Sequence, residues 1–159
     1  MRITFITVGK LKERHTKAAV DEYAKRLSRY ARFDIVEVAD EPMGERLSPA
    51  DERDILYVEG KRILRHIKDG AYVIATAIAG QPLDSVAFAN KLAKLTVDGY
   101  SHICFIIGGS LGLCEAVTKR ADYLLSFSRM TFPHQLMRVM LAEQVYRAFR
   151  INAGEPYHK

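Results

Sequence analysis

The sequence predicts one α/β domain over residues 1–159, with a mainly parallel β-sheet flanked by helices. Along the chain, apolar residues alternate between the two-residue period of strands and the 3.6-residue period of helices. The run "HICFII" at His102–Ile107 is apolar on both faces, as in a parallel sheet that is covered by helices. At 159 residues, 48% hydrophobic and 27% charged, the chain has the length and composition of a single globular domain.

The first half of the chain predicts two strands and two helices. The β-branched run "RITFITV" (Arg2–Val8) is typical of a buried strand, and apolar residues then recur at helical spacing over 12–30. Alternation in "FDIVEVA" predicts a second strand over 33–39. Ser48 is a good N-cap with a proline directly after it, which predicts a second helix that runs to Gly70.

The second half predicts three strands and three helices. In order, they are a strand over 71–79 closed by a turn at 80–82, a helix from Asp84 or Ser85 to about 96, a strand at His102–Ile107, a short helix at Glu115–Arg120, a strand over 123–128 and a long helix from Pro133 to about 151. Ligands of parallel sheets bind beyond the carboxyl ends of the strands. We therefore expect the segments that leave three of these strands to wall one pocket: 76–80, 108–112 and 127–134.

The segment "GGSLG" at 108–112 matches the G-x-S-x-G pattern of a serine-hydrolase nucleophile elbow. Ser110, Asp122 and either His134 or His158 have the chain order that a serine esterase needs. The chain has no HGGG-type oxyanion segment, however, and the short motif alone is weak support. The same glycines are typical of a tight strand-to-helix turn, or of bare backbone that a flat ligand can approach. The segment lacks the lysine of a P-loop and the G-x-G-x-x-G order of a dinucleotide site.

Charge and cysteine usage restrict the classes of partner. A net charge of +5 and a pI of about 9.2 are compatible with a polyanionic partner such as nucleic acid. Cys104 and Cys114 lack CxxC spacing, which predicts two reduced thiols and no metal site. The apolar runs are shorter than the roughly 20 residues that span a bilayer, and the amino terminus becomes charged too early for a secretory signal. We therefore expect a cytoplasmic protein with no membrane segment.

Three segments together resemble one family: "IIGGSLGL", "LSFSRMTFPHQLMRVMLAEQVYRAFRI" and the terminal "YHK". The resemblance is to the ribosomal RNA large-subunit methyltransferase H group of the SPOUT superfamily, and it extends over the whole chain. It implies a C-terminal trefoil knot, a homodimer and S-adenosylmethionine as cofactor. It also implies methylation at N3 of a pseudouridine, in a large-subunit rRNA stem-loop at the subunit interface of the assembled ribosome. The knot follows from the resemblance alone, because chains do not thread loops by default.

The resemblance also assigns cofactor-binding residues, and these fall on the three strand exits. They are Thr76, Gly108, Phe127, Ser128, Arg129, Met130, Thr131 and Phe132. One departure from the family pattern is Thr76, where relatives carry a leucine. A backbone contact to the cofactor would survive that change, whereas an apolar contact to adenine would be weaker. Ser110 is then no nucleophile, and Gly108 and its neighbours admit the cofactor.

The catalytic residues implied by the resemblance are His158, Tyr157 and Arg138. Methylation at N3 needs a group that accepts the imide proton, and histidine is the residue type suited to that role near neutral pH, which makes His158 the first candidate. Tyr157 would stack on the target base or bond to it. Arg138, one turn after His134, would by its position stabilise an oxyanion on the base or bind phosphate, and the alternative for it is an interface salt bridge, for instance with Glu143. His134 is expected to be structural. Arg129, Arg147, Arg150 and Lys159 are expected to face RNA, with ordinary solvated surface as the alternative.

Apolar residues cover more than one face of the final helix, which predicts a second subunit against it. A helix buried centrally within one domain would show the same pattern. Two other functions stay open beside the methyltransferase: a knotted RNA-binding domain without catalysis, and the serine esterase. Because the chain carries no separate RNA-binding module, we expect recognition to depend on the shape of the assembled ribosome.

Overall fold

Alternating strands and helices build a five-stranded sheet in the order β2-β1-β4-β3-β5, in a computed structural model that describes residues 1–159. The strands are β1 (Arg2–Val8), β2 (Arg32–Val38), β3 (Tyr72–Pro82), β4 (His102–Ile107) and β5 (Tyr123–Ser126). The helices are α1 (Arg14–Leu27), α2 (Pro49–Leu64), α3 (Ser85–Val97), α4 (Glu115–Arg120) and α5 (His134–Asn152). All four strand pairs are parallel, so the predicted class and element order are confirmed.

Both faces of the sheet are covered, which explains why the central strands are apolar throughout. On one face, Phe5 of β1 and Phe105 of β4 pack with α1, α3 and α5. On the other face, Ile6 and Ile106 pack with residues of α2 and α4, such as Ile63. Burying an apolar side chain of this size contributes roughly 1.5–3 kcal/mol to folding. The two apolar layers therefore hold the carboxyl ends of the strands in register at one edge of the sheet.

Helix starts differ in how well they are capped. Ser48 and Asp51 form a reciprocal capping box at α2: the Ser48 hydroxyl accepts from the Asp51 N–H (3.1 Å), and the Asp51 carboxylate accepts from the Ser48 N–H (2.8 Å). Asp84 caps α3 by accepting from the N–H of Ala87 (2.7 Å). The N-cap residue of α1 is Glu13, whose side chain makes no capping bond. The predicted caps of the second and third helices are confirmed.

The turn predicted at 80–82 is wrong, because β3 continues through it. Thr76 pairs with Leu125, the ladder is then interrupted, and pairing resumes when Gln81 faces the same Leu125. The intervening residues 77–80 bulge out of the sheet. Gly80 permits this, because a Cβ there would lie 2.7 Å from the carbonyl oxygen of Leu124. A glycine and a proline at the end of a strand therefore mark a bulge rather than the turn that they usually indicate.

The two cysteines are free thiols, as predicted, and only Cys104 is fully buried. Burial raises the pKa of Cys104 to about 12. At pH 8 that leaves roughly one thiolate in ten thousand. We expect iodoacetamide to modify Cys114 in the folded protein and to leave Cys104 intact, with both modified in denaturant. Peptide mapping by mass spectrometry measures this, and modification of native Cys104 at the rate of Cys114 would contradict it.

None of the helices is both long enough and apolar enough to cross a membrane. His, Cys, Asp and Glu side chains do not gather in groups of three or more that could hold a metal ion. The trefoil knot implied by the family resemblance stays a prediction.

Candidate functional site

A cavity of about 770 Å³ opens at the edge of the sheet where three strands end. Its walls come from the end of β3 (76–79), from the turn after β4 (107–113) and from the segment between β5 and α5 (127, 128 and 130–134). The prediction that these three strand exits wall one pocket is confirmed. A cavity of this size is in the range of small-molecule and cofactor sites.

The first wall is built by the irregular end of β3. The hydroxyl of Thr76 donates to the carbonyl of Ile106 in the neighbouring strand (3.1 Å), so the side chain is used within the fold. After Thr76 the backbone leaves the ladder, and the bulge at 77–79 lines the cavity. Ile78 within this bulge is 52% exposed. The Thr76 side chain therefore ties two strand ends together, and the bulge that follows it lines the cavity.

The second wall is the glycine turn that follows β4. The carbonyl of Gly109 accepts from the N–H of Gly112 (3.0 Å), which closes the turn, and Gly112 has a φ of +85°. Gly108 lies directly beneath Gly112: a Cβ on Gly108 would overlap the Gly112 carbonyl oxygen and lie 2.7 Å from its carbonyl carbon. Gly108 has no room for a side chain, and the positive φ of Gly112 would strain one, so the turn presents bare backbone to the cavity.

The serine-esterase alternative fails on the geometry of this turn. Ser110 is exposed at the tip, and no histidine forms a hydrogen bond with its hydroxyl. Asp122 precedes β5 at the opposite edge of the sheet, where its carboxylate accepts from the N–H of Val73 (2.7 Å). A nucleophile elbow also strains its serine, whereas no residue other than glycine has a positive φ in this chain. The predicted alternative of a Ser110 triad is therefore wrong.

The third wall is a loop that is held by serine hydroxyls. Ser126 donates to the carbonyl of Ile78 (3.0 Å), which joins the end of β5 to the bulge of β3. Ser128 accepts from the N–H of Met130 (3.0 Å) and tightens the loop itself. Seven of the eight residues predicted to bind the cofactor line the cavity, namely Thr76, Gly108, Phe127, Ser128, Met130, Thr131 and Phe132. The eighth, Arg129, is exposed and does not line it.

His134 and Arg138 lie one turn apart at the start of α5 and have different surroundings. His134 lines the cavity, and burial, reinforced by the charge of Arg138, lowers its pKa. Arg138 is fully buried: it donates to the carbonyls of Val8 (2.9 Å) and Gly9 (2.7 Å) and to the carboxylate of Glu37 (2.7 Å). Its ion-pair partner is therefore Glu37 rather than Glu143. The enclosed guanidinium does not line this cavity.

Tyr157 and His158 follow α5 in the chain and contact side chains of its distal half, apart from the cofactor residues. Tyr157 donates to Glu143 (3.1 Å), and burial, reinforced by the Glu143 charge, raises its pKa to about 12. Arg147 donates to Nδ1 of His158 (3.2 Å), which requires that nitrogen to be unprotonated. Glu143 borders a second cavity of about 510 Å³ between α5, α1 and α3. The single chain thus does not bring the predicted catalytic pair to the glycine turn.

Two of the cations expected to face RNA are neutralised within the chain. Arg147 pairs with Glu143 (2.6 Å) and Arg150 pairs with Glu155 (2.8 Å). Arg129 and Lys159 are exposed and make no ion pair. Solvated surface pairs are worth little energetically, so Arg147 and Arg150 stay available for exchange with phosphate.

A buried carboxylate that was not predicted from the sequence, Glu59, lies beneath the glycine turn. Glu59 of α2 is 6% exposed; one oxygen accepts from the N–H of Glu41 (3.1 Å), and the other has no partner. That second oxygen lies 3.4 Å from the position that a Cβ of Gly109 would occupy. Burial raises the pKa of Glu59. Its spacing of four from Ile55 and Ile63, both buried, was the available sequence signal.

Comparison with known proteins covers the whole chain. The profile of the family described as "Predicted SPOUT methyltransferase" matches residues 1–158. A Bifidobacterium adolescentis protein named "Ribosomal RNA large subunit methyltransferase H" is 61% identical over 159 residues, which is 100% of both chains. A protein of the same name from Alkaliphilus oremlandii is 58% identical over the same 159 residues, again 100% of both chains.

A solved structure supports the fold independently of sequence. The structure of a probable methyltransferase from Bordetella pertussis Tohama I superposes with a TM-score of 0.57 at 12% identity, and covers 93% of this chain and 94% of that one. At this identity the likeness concerns the fold alone. The family itself is shown by the profile match over 1–158 and by the identities above. The chain belongs to the SPOUT methyltransferase family, and its glycine-turn cavity lies at the carboxyl edge of a parallel sheet.

Proposed function

We propose that this protein transfers a methyl group from S-adenosylmethionine to N3 of a pseudouridine in the large-subunit rRNA of the assembled ribosome. One observation carries the proposal: the strand exits assigned to the cofactor from sequence converge on a single cavity. The names of relatives that are 61% and 58% identical support rRNA as the substrate. A protein with this substrate would work in the cytoplasm, where ribosomes are assembled and used.

The cavity fits the flat adenine base of the proposed cofactor. Gly108 and Gly112 leave backbone exposed where a Cβ would overlap neighbouring atoms or be strained. Apolar side chains such as Ile107, Leu111 and Phe132 cover the remaining wall. When bound, S-adenosylmethionine supplies an already activated methyl group, so the chain has to align the acceptor with it. The serine-tied loop and the closed glycine turn fix the wall of that site without induced ordering.

We propose that the active unit is a homodimer in which one subunit's terminal segment serves the other's cavity. Glu143 and Arg147, which hold Tyr157 and His158, follow Met137, the last cavity-lining residue of α5, by six and ten residues. On a helix this separation is roughly 9–15 Å, beyond the distance of a direct side-chain contact. Exposed apolar side chains beside the cavity offer a surface for a second subunit: Ile78 (52%), Met130 (72%) and Leu136 (46%). Light scattering at micromolar concentration tests this, and a monomer mass would contradict it.

Proton removal from N3 is assigned to His158, with Tyr157 orienting the base. The pKa of Tyr157 is about 12, so its phenol stays protonated and can donate but cannot act as a base at neutral pH. The unprotonated Nδ1 of His158 can accept a proton once Arg147 releases it. His134 is the second candidate acceptor, because it lines the cavity and burial keeps its imidazole neutral. Arg138 is assigned a positioning role, since its nitrogens bind Glu37 and the end of β1.

Changing His158 to alanine should lower kcat for methyl transfer by roughly a hundredfold, the usual contribution of a general base. The affinity for S-adenosylmethionine should stay within about twofold of wild type, because His158 is assigned to the acceptor base and not to the cofactor. Single-turnover transfer and equilibrium dialysis measure the two quantities. His134→Asn is the matched comparison, since it removes the other candidate acceptor. Unchanged turnover in His158→Ala together with a large loss in His134→Asn would transfer the role to His134.

The proposed function is tested by transfer of labelled methyl from S-adenosylmethionine to ribosomes from cells in which the gene is deleted. Label mapped to N3 of a pseudouridine in the large-subunit rRNA is the expected result. Protein-free rRNA is the comparison, and we expect it to accept far less label than assembled ribosomes. Absence of label on ribosomes, in a preparation that binds S-adenosylmethionine, would contradict the proposed rRNA substrate. The family assignment would be unaffected.

A further inference from the structure

The segment that joins β1 to α1, together with the first turn of α1, is an exposed strip of positive charge. Its four cations are Lys10, Lys12, Arg14 and Lys17, and we call this segment (residues 10–17) the basic loop. All four side chains belong to exposed residues, and none makes an ion pair within the chain. Glu13 is the one carboxylate among them. This unneutralised charge contrasts with Arg147 and Arg150, each of which has a carboxylate partner.

The base of the basic loop is fixed to the rest of the fold. Leu11 donates its N–H to an oxygen of Glu37 (2.9 Å), and the same oxygen accepts from Arg138 (2.7 Å). Arg138 in turn binds the carbonyls of Val8 and Gly9, where the chain leaves β1. Charge-assisted bonds around a buried guanidinium hold its partners in one geometry. The cations therefore project from a rigid base rather than from a free loop.

The same bonds place the basic loop beside the candidate active site. Arg138 follows Met137 directly and His134 by one helical turn, and both of those residues line the cavity. Because Arg138 also holds Gly9, the basic loop leaves the sheet at the α5 side of the cavity. Asp40 approaches this position and adds one negative charge at the base of the loop. A polymer whose base entered the cavity would extend its backbone past the exposed cations.

The start of α1 carries charge of the sign that a helix N-terminus disfavours. The first turn of α1 contains Arg14 and Lys17 and no acidic residue, and Glu13 makes no capping bond. Cations near the positive end of the helix dipole, three residues apart, each cost a few tenths of a kcal/mol. Two of the other long helices have side-chain caps, namely the capping box of α2 and Asp84 at α3, whereas α5 has none. A bound phosphate would relieve this arrangement, whereas nothing within the chain does so.

We propose that the basic loop binds the phosphate backbone of the RNA substrate next to the nucleotide that enters the cavity. This rests on the proposed function, and it assigns the RNA a path across β1 and α1 rather than only across α5. Phosphate contacts position a nucleic acid without reading its sequence, which suits flexible lysine and arginine side chains on a fixed base. Recognition of the target nucleotide itself then belongs to the cavity and the terminal segment.

The test compares two variants that each lose four positive charges. The loop variant carries Lys10→Gln, Lys12→Gln, Arg14→Gln and Lys17→Gln. The control variant carries Lys25→Gln, Arg29→Gln, Arg65→Gln and Lys68→Gln, four exposed cations without ion pairs at the opposite, amino-terminal edge of the strands. Binding to unmethylated ribosomes is measured between 50 and 200 mM salt, and S-adenosylmethionine affinity is measured in parallel.

We expect the slope of log affinity against log salt to become shallower by about three in the loop variant. At 50 mM salt the loop variant should bind on the order of a hundredfold more weakly than wild type. The control variant should keep a slope within about one of wild type, and both should bind S-adenosylmethionine normally. If the two variants have equal slopes while wild type methylates ribosomes, the basic loop does not bind the RNA backbone. The proposed function would then still stand. A wild-type protein that neither binds nor methylates ribosomes would overturn both.

Discussion

Replacing Gly108 with alanine is expected to lower the affinity for S-adenosylmethionine by roughly a hundredfold, the upper range of overpacking costs in a closed structure. The added methyl group would overlap the carbonyl of Gly112, and backbone cannot move aside as the end of a side chain can. The turn would have to open, and the bond between Gly109 and Gly112 would lengthen or break. Because this turn is one wall of the cavity, its displacement acts directly on the site.

Gly44→Ala is the matched control for that substitution, because no atom lies within 4 Å of a Cβ at Gly44 and its φ is not positive. Isothermal titration with S-adenosylmethionine measures the affinity, and thermal unfolding with and without ligand measures the linked stabilisation. We expect ligand to raise the unfolding midpoint of wild type and Gly44→Ala but not of Gly108→Ala. Wild-type affinity in Gly108→Ala would show that the cofactor binds elsewhere, for example in the cavity beside Glu143.

The sequence predicted those features for which residue type and position in the chain indicate the same local structure. The glycines at 108–112 follow a strand that is apolar on both faces, so both their turn and its place at the sheet edge were predictable. Ser48 and Asp84 precede helices and act as the caps that their residue types suggest. In each case one short stretch of sequence determines the structure without help from distant residues.

The errors and omissions arose where a distant residue decides the outcome. The bulge after Thr76 exists because β5 pairs on both sides of it and Gly80 permits close approach, which no reading of β3 alone reveals. Glu59 looks like an ordinary helix residue until α2 is placed under the glycine turn. Tyr157 and His158 return to α5 through Glu143 and Arg147, so their distance from the cavity also depended on the tertiary fold.

The role of Arg138 also depends on distant residues, because it binds Glu37, Val8 and Gly9. Removing its charge is the second change with a large expected effect. Arg138→Met should lower the free energy of unfolding by about 3 kcal/mol or more, as for one partner removed from a buried ion pair. The carbonyls of Val8 and Gly9 would lose their donors inside the protein, where an unmet acceptor is costly. Glu37 would lose its cation but keep the N–H of Leu11, and its side chain is 35% exposed, which limits that part of the loss.

Arg147→Met is the matched control for this change, since Arg147 also pairs with a glutamate but lies closer to solvent, where such pairs contribute at most about 1 kcal/mol. Urea unfolding followed by circular dichroism measures both variants. A loss of this size corresponds to a drop of roughly 6–12 °C in Tm for Arg138→Met. At a temperature where Arg138→Lys is still folded, we expect its kcat to stay within about threefold of wild type, because the residue holds β1 and the basic loop rather than the substrate. A wild-type unfolding midpoint combined with lost methyl transfer would instead make Arg138 a catalytic residue.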